Sequence, residues 1–126
     1  MIPSRLLAAL LLVAALPASA KTSDGSMDGA WTLDLSSKPG EVYTKPMVLT
    51  LKEDGTVSGS FYQSDIEAGR WEKDRGRTCV SFRTTDGVGP YHTAACRVGD
   101  HVEGQTWAEK RNFLFNWNAT RTVVKK

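Results

Sequence analysis

Two cysteines and two histidines are the residues best equipped for covalent or metal chemistry in this chain, and their placement decides between the two. Cys79 lies in a strand-like run, Thr78 to Thr84, and Cys96 in a second, Tyr91 to Val98. The six residues between the runs, Thr85-Asp86-Gly87-Val88-Gly89-Pro90, form a dense turn signal. Folding the runs symmetrically about that loop sets Cys79 opposite Cys96, Phe82 opposite Thr93, Arg83 opposite His92 and Thr84 opposite Tyr91. Turn chemistry and cysteine register therefore select the same hairpin, and a disulfide is the expected product. A structural zinc site needs closely spaced ligand pairs, which Cys79, Cys96, His92 and His101 do not offer, so no metal is expected. Ser81 and His92 share one face of the hairpin, as a nucleophile and base would. No nucleophile elbow or oxyanion-forming helix terminus accompanies them, and no catalytic residue is assigned. Asp65 and Glu67 share a face of a polar strand and read as charge decoration.

Aromatic side chains are the natural lining of a ligand cavity. Phe61, Phe82 and Trp107 are assigned to such a lining, with Tyr62, Arg83 and Tyr91 as the polar groups that orient a ligand. Phe113, Phe115 and Trp117 alternate along the last strand, with Ala119 continuing the row, and are assigned to the core.

These residues need a scaffold, and the chain supplies strands. Met1 to Arg5, the apolar run Leu6 to Leu16 and Ala18-Ser19-Ala20 have the three-part pattern of a secretory signal over residues 1–20. From Lys21 onward the chain carries 15 basic and 14 acidic side chains, a balance that excludes an electrostatic nucleic-acid surface. No run there approaches the ~20 apolar residues of a membrane-spanning helix. Lys21 to Asp28, rich in Ser, Gly and Asp, reads as a loose arm. Period-two alternation and turn residues then predict eight strands: Gly29–Leu35, Met47–Lys52, Thr56–Gln63, Asp65–Lys73, Thr78–Thr84, Tyr91–Val98, His101–Glu109 and Asn112–Thr122. Residues 42–44 are left open between loop and second strand, and Gly69 is expected to carry a bulge. Eight short strands with no helix to cover an open sheet leave two edges unless the sheet closes, so residues 29–126 are expected to form an all-β, eight-stranded antiparallel up-and-down barrel.

Gly29-Ala30-Trp31 at the start of the first strand, the eight-strand meander and Arg121 near the end of the last resemble the calycin superfamily of lipocalins, fatty-acid-binding proteins and avidins. Asp54-Gly55-Thr56-Val57-Ser58-Gly59-Ser60-Phe61-Tyr62 is similar to an avidin hairpin. The resemblance implies that Trp31 packs across a closed barrel end and that Arg121 covers it, both as structural residues. The run Asp86 to Thr93, followed by Cys96, also resembles small bacterial exported proteins, which implies no activity.

The expectation is an exported, non-enzymatic binding protein without a cofactor, periplasmic or secreted, holding a small apolar or aromatic ligand in the barrel mouth. The alternative is a protein-binding module, such as an inhibitor of exported proteases, with a solid barrel and an active arm or loop. An open interior of roughly 300 Å³ or more favours the former, a filled one the latter.

Overall fold

The structure, a computed structural model, describes residues 26–123. The expected signal, residues 1–20, and the start of the arm lie outside the described residues. The elements are β1 (Gly29–Asp34), β2 (Thr44–Leu51), β3 (Thr56–Phe61), β4 (Ser64–Asp65), β5 (Glu67–Asp74), β6 (Arg77–Thr85), β7 (Pro90–Val98), β8 (His101–Ala108) and β9 (Phe113–Arg121). β4 and β5 are two segments of one stave, interrupted at Ile66. Each stave pairs antiparallel with the next, β9 returns to β1, and β2 pairs with both β1 and β3. The sheet is a closed eight-stave antiparallel barrel, the architecture expected of a calycin-like chain. Closure leaves no free edge.

The interior follows from the period-two rule. Trp31 and Leu33 of β1, Met47 and Leu49 of β2, Val57 and Phe61 of β3, Val80 and Phe82 of β6, and Trp117 and Ala119 of β9 point inward and are buried. Phe61 packs on Phe82 and on Trp117, with ring centroids 5.5 Å apart in each case, and these three rings form the middle layer. The Trp117 indole lies across Gly104 of β8, where a Cβ would stand 2.2 Å from its Cζ2, so only glycine admits the ring at that height. Its Nε1 donates to Thr106 Oγ1 at 2.9 Å, and Thr106 shares a hydrogen bond with Thr93 at the same distance. Buried polar atoms in this layer thus satisfy one another.

One barrel end is sealed. Trp31 is fully buried there, and its Nε1 donates to the Met27 carbonyl at 2.9 Å. The Arg121 guanidinium lies over the indole with Cζ 4.2 Å from the ring centroid, a cation–π contact. It donates to the Asp28 and Ser26 carbonyls, and Arg97 reaches the Ser26 carbonyl at 2.5 Å. Burial first, and the neighbouring Arg97 charge second, lower the Arg121 pKa. Ser26 to Asp28 are therefore part of the seal rather than of a loose arm, because Met27 is fully buried and Asp28 Oδ1 accepts the Leu51 N–H at 2.7 Å. Gly29 (φ 117°) opens the strand here because a Cβ would stand 2.6 Å from Arg121 Nη1.

Cys79 and Cys96 form the expected disulfide between β6 and β7, and the pairings Phe82–Thr93, Arg83–His92 and Thr84–Tyr91 have the expected register. One further pair, Thr85 with Pro90, shortens the connecting loop to residues 86–89. The expected bulge falls between Glu67 and Arg70, with Ala68 at φ 54°.

Two outcomes follow for the scaffold. Trp31→Ala, by emptying the sealed end, is expected to lower stability by about 3–5 kcal/mol in chemical denaturation; a loss under 1 kcal/mol would place the indole in solvent. Peptide mapping without reduction is expected to recover Cys79 and Cys96 in one linked fragment. Reduction is expected to cost about 3 kcal/mol on the chain-entropy account.

Candidate functional site

The opposite end of the barrel is open. A cavity of about 840 Å³ lies there, with Phe61 at its floor and Leu35, Phe113 and Phe115 among its apolar walls. Phe113 and Phe115, two residues apart on β9, stack with centroids 5.5 Å apart. Sequence alternation assigns both to the core, and they do face inward. They lie above the filled layer, however, so Phe113 remains 45% exposed and the pair lines a space instead of filling one. The space exists because β6 places small Thr84 one inward step above Phe82.

Polar groups border the cavity in two clusters. In the first, Tyr91 donates its hydroxyl proton to Asp86 Oδ2 at 2.8 Å, while Arg111 Nε donates to the Tyr91 oxygen at 2.7 Å. Arg111 Nη2 completes the triangle on Asp86 Oδ2 at 3.1 Å. The Val88 backbone N–H and the Tyr91 hydroxyl, with smaller help from Arg111, hold the Asp86 carboxyl down at about 2. Burial, and then the proton shared with Asp86, raise the Tyr91 pKa.

The second cluster is the tyrosine pair Tyr43 and Tyr62, whose hydroxyls hydrogen-bond to each other across the lip. That bond, with burial, raises the Tyr62 pKa. Lys45 Nζ is held over both rings, 5.7 Å from the Tyr43 centroid and 5.2 Å from that of Tyr62. Tyr62 and its neighbour Gln63 occupy the two central positions of a tight hairpin turn closed by the Phe61–Ser64 pair, at φ 55° and 71°. Left-handed backbone costs roughly 1–2 kcal/mol per ordinary residue. This turn is where Tyr62 leaves the strand alternation and joins Phe61 at the same cavity.

Of the six residues assigned to a ligand lining from sequence, Phe61, Tyr62 and Tyr91 border this cavity. The other three lie elsewhere. Phe82 is buried beneath Phe61 in the middle layer. Arg83 stands on the outer wall, paired with Glu67 at 3.3 Å, because its neighbour Phe82 takes the inward position. Trp107 is also on the outer wall, 38% exposed, since Thr106 beside it faces in. Tyr43, Asp86 and Arg111 were not anticipated. His92 sits outside the barrel with Nε2 2.9 Å from Glu109 Oε1, and His101 Nε2 is engaged in the same way by Glu103.

A carboxyl held near 2 stays ionised, and the triangle intact, above the ordinary carboxyl value of about 4; its contribution to stability is lost as pH falls through about 2. Carboxyl NMR is expected to give Asp86 a midpoint near 2, and Asp86→Asn to remove that part of the acid dependence. A midpoint near 4 would mean the triangle does not persist in solution. No family model, no curated protein and no solved structure matches this chain.

Proposed function

We propose that this chain is an exported, non-enzymatic binding protein of calycin-like build that takes a small apolar or aromatic ligand in the open barrel mouth. One observation carries the reading: a cavity of about 840 Å³, walled by aromatic rings and bordered by a few convergent polar groups, at the unsealed end of a closed barrel. This is the composition of ligand pockets generally, a largely apolar concavity with sparse orienting groups. The volume is well above the roughly 300 Å³ at which such sites begin. Export is supported by the signal pattern of residues 1–20 and by a disulfide, which needs an oxidising compartment to persist. The alternative of a protease inhibitor on a solid barrel has less support, because its premise is a filled interior.

Fluorescence titration with the neutral dye N-phenyl-1-naphthylamine is expected to show saturable binding. Phe113→Glu and Phe115→Glu, each setting a carboxylate in the apolar wall, are expected to weaken it at least about tenfold. Native mass spectrometry of protein purified from its own host is expected to show a bound small molecule. Protein that is empty from its host and unresponsive to the dye would reject the reading.

A further inference from the structure

The cavity contains one buried polar side chain that the fold leaves without a partner. Thr84 is 3% exposed, borders the cavity, and its hydroxyl makes no hydrogen bond to any described residue. In the middle layer below, Thr93 and Thr106 bond each other and Trp117, whereas Thr78, buried lower on β6, is likewise without a side-chain partner among the described residues but does not border the cavity. A hydroxyl left without a protein partner beside an open mouth takes its hydrogen bond from water when no ligand is bound. A ligand that displaces this water without replacing its hydrogen bond loses affinity, and one that replaces it gains selectivity over its apolar analogue.

The charges of the mouth set a second condition. Asp86 and Arg111 are the charged side chains that border the cavity, and they neutralise each other, with the Tyr91 hydroxyl bonded to both. A ligand carboxylate would find Arg111 already held and the Asp86 charge beside it, and would lose hydration without gaining a counter-ion. Lys45 lies against the tyrosine rings of the lip and does not border the cavity.

We propose that the mouth selects uncharged molecules in which a flat apolar ring carries a hydroxyl or carbonyl group, the ring seated against Phe113 and Phe115 and the polar group hydrogen-bonded to Thr84. This deepens the reading of the mouth as a binding site and rests on it.

The test compares 2-naphthol, naphthalene and 2-naphthoate as competitors of the neutral dye at pH 7. The wild-type protein is expected to bind 2-naphthol about tenfold more tightly than either of the others. Thr84→Val, nearly isosteric, is expected to bring 2-naphthol and naphthalene to equal affinity, each measured against the variant's own dye affinity. Asp86→Asn, which releases Arg111, is expected to raise naphthoate affinity severalfold. Preference of the wild type for naphthoate, or a naphthol preference that survives Thr84→Val, would overturn the inference and leave the mouth as a binding site. Dye binding with no competition by any of the three would do the same. Failure of the wild-type protein to bind either the dye or naphthalene would overturn the binding site itself.

Discussion

The contact on which the barrel depends is that of the Arg121 guanidinium over the Trp31 indole. A closed sheet solves the edge problem but creates another at each end, where inward side chains meet water and backbone groups lack strand partners. At the sealed end Arg121 addresses both difficulties. Its planar face covers a fully buried indole, and its N–H groups satisfy the carbonyls of Ser26 and Asp28. A lysine could supply the charge but not the plane or the fork. Met27 is drawn in by the same arrangement, because the Trp31 Nε1 needs an acceptor and finds the Met27 carbonyl. A segment whose composition reads as a loose arm is thus fixed at its final three residues, Met27 by the Trp31 ring and Ser26 and Asp28 by the arginine that covers it.

With one end sealed and a three-ring layer across the middle, the remaining inward positions need not complete a core. The step from Phe82 to Thr84 along β6 contributes to this division: the Phe82 ring fills the middle layer, and the smaller Thr84 side chain leaves the layer above it open. The rings of β9 divide at the same height, Trp117 filling space below and Phe113 and Phe115 bordering space above. The buried core lies below the mouth, which is left open to be shaped by polar contacts among loops. The left-handed Tyr62 and Gln63 stand at that mouth, where backbone strain re-aims a side chain that simple alternation would have turned outward.

What could be read from the residues alone divides along the same physical lines. Alternation and cysteine register are strong local signals, so the β6–β7 hairpin was legible pair by pair, and closure followed from eight strands without a covering helix. Alternation reports the face of a residue and not its height in the barrel, which is why Phe82 was assigned to a cavity and Phe115 to the core when their layers are the reverse. A list drawn by residue type also joins neighbours that alternation separates: Phe82 and Arg83 cannot both face inward in one regular strand. Phe61 and Tyr62 can, because a tight turn intervenes, yet Tyr-Gln carries none of the Gly, Asn or Asp chemistry that marks such turns. Asp86 and Arg111 come from separate loops, and nothing local announces that closure of the barrel will bring them together.

The two ends use arginine in opposite ways, and the contrast explains why one is sealed and the other open. Arg121 is partly buried, lies on an apolar face and donates to main-chain carbonyls, so its contacts hold rigid elements together and its desolvation is visible in a lowered pKa. Arg111 is exposed, and its partners are the side chains of Asp86 and Tyr91, whose hydrogen bonds raise its pKa instead. Contacts to backbone fix a fold, because carbonyl positions cannot change without moving strands. Contacts among exposed side chains fix only orientation. The Asp86–Tyr91–Arg111 triangle aligns a phenol and cancels a charge at the cavity's edge while requiring nothing of the sheet, so its side chains can be reoriented without loosening the sealed half.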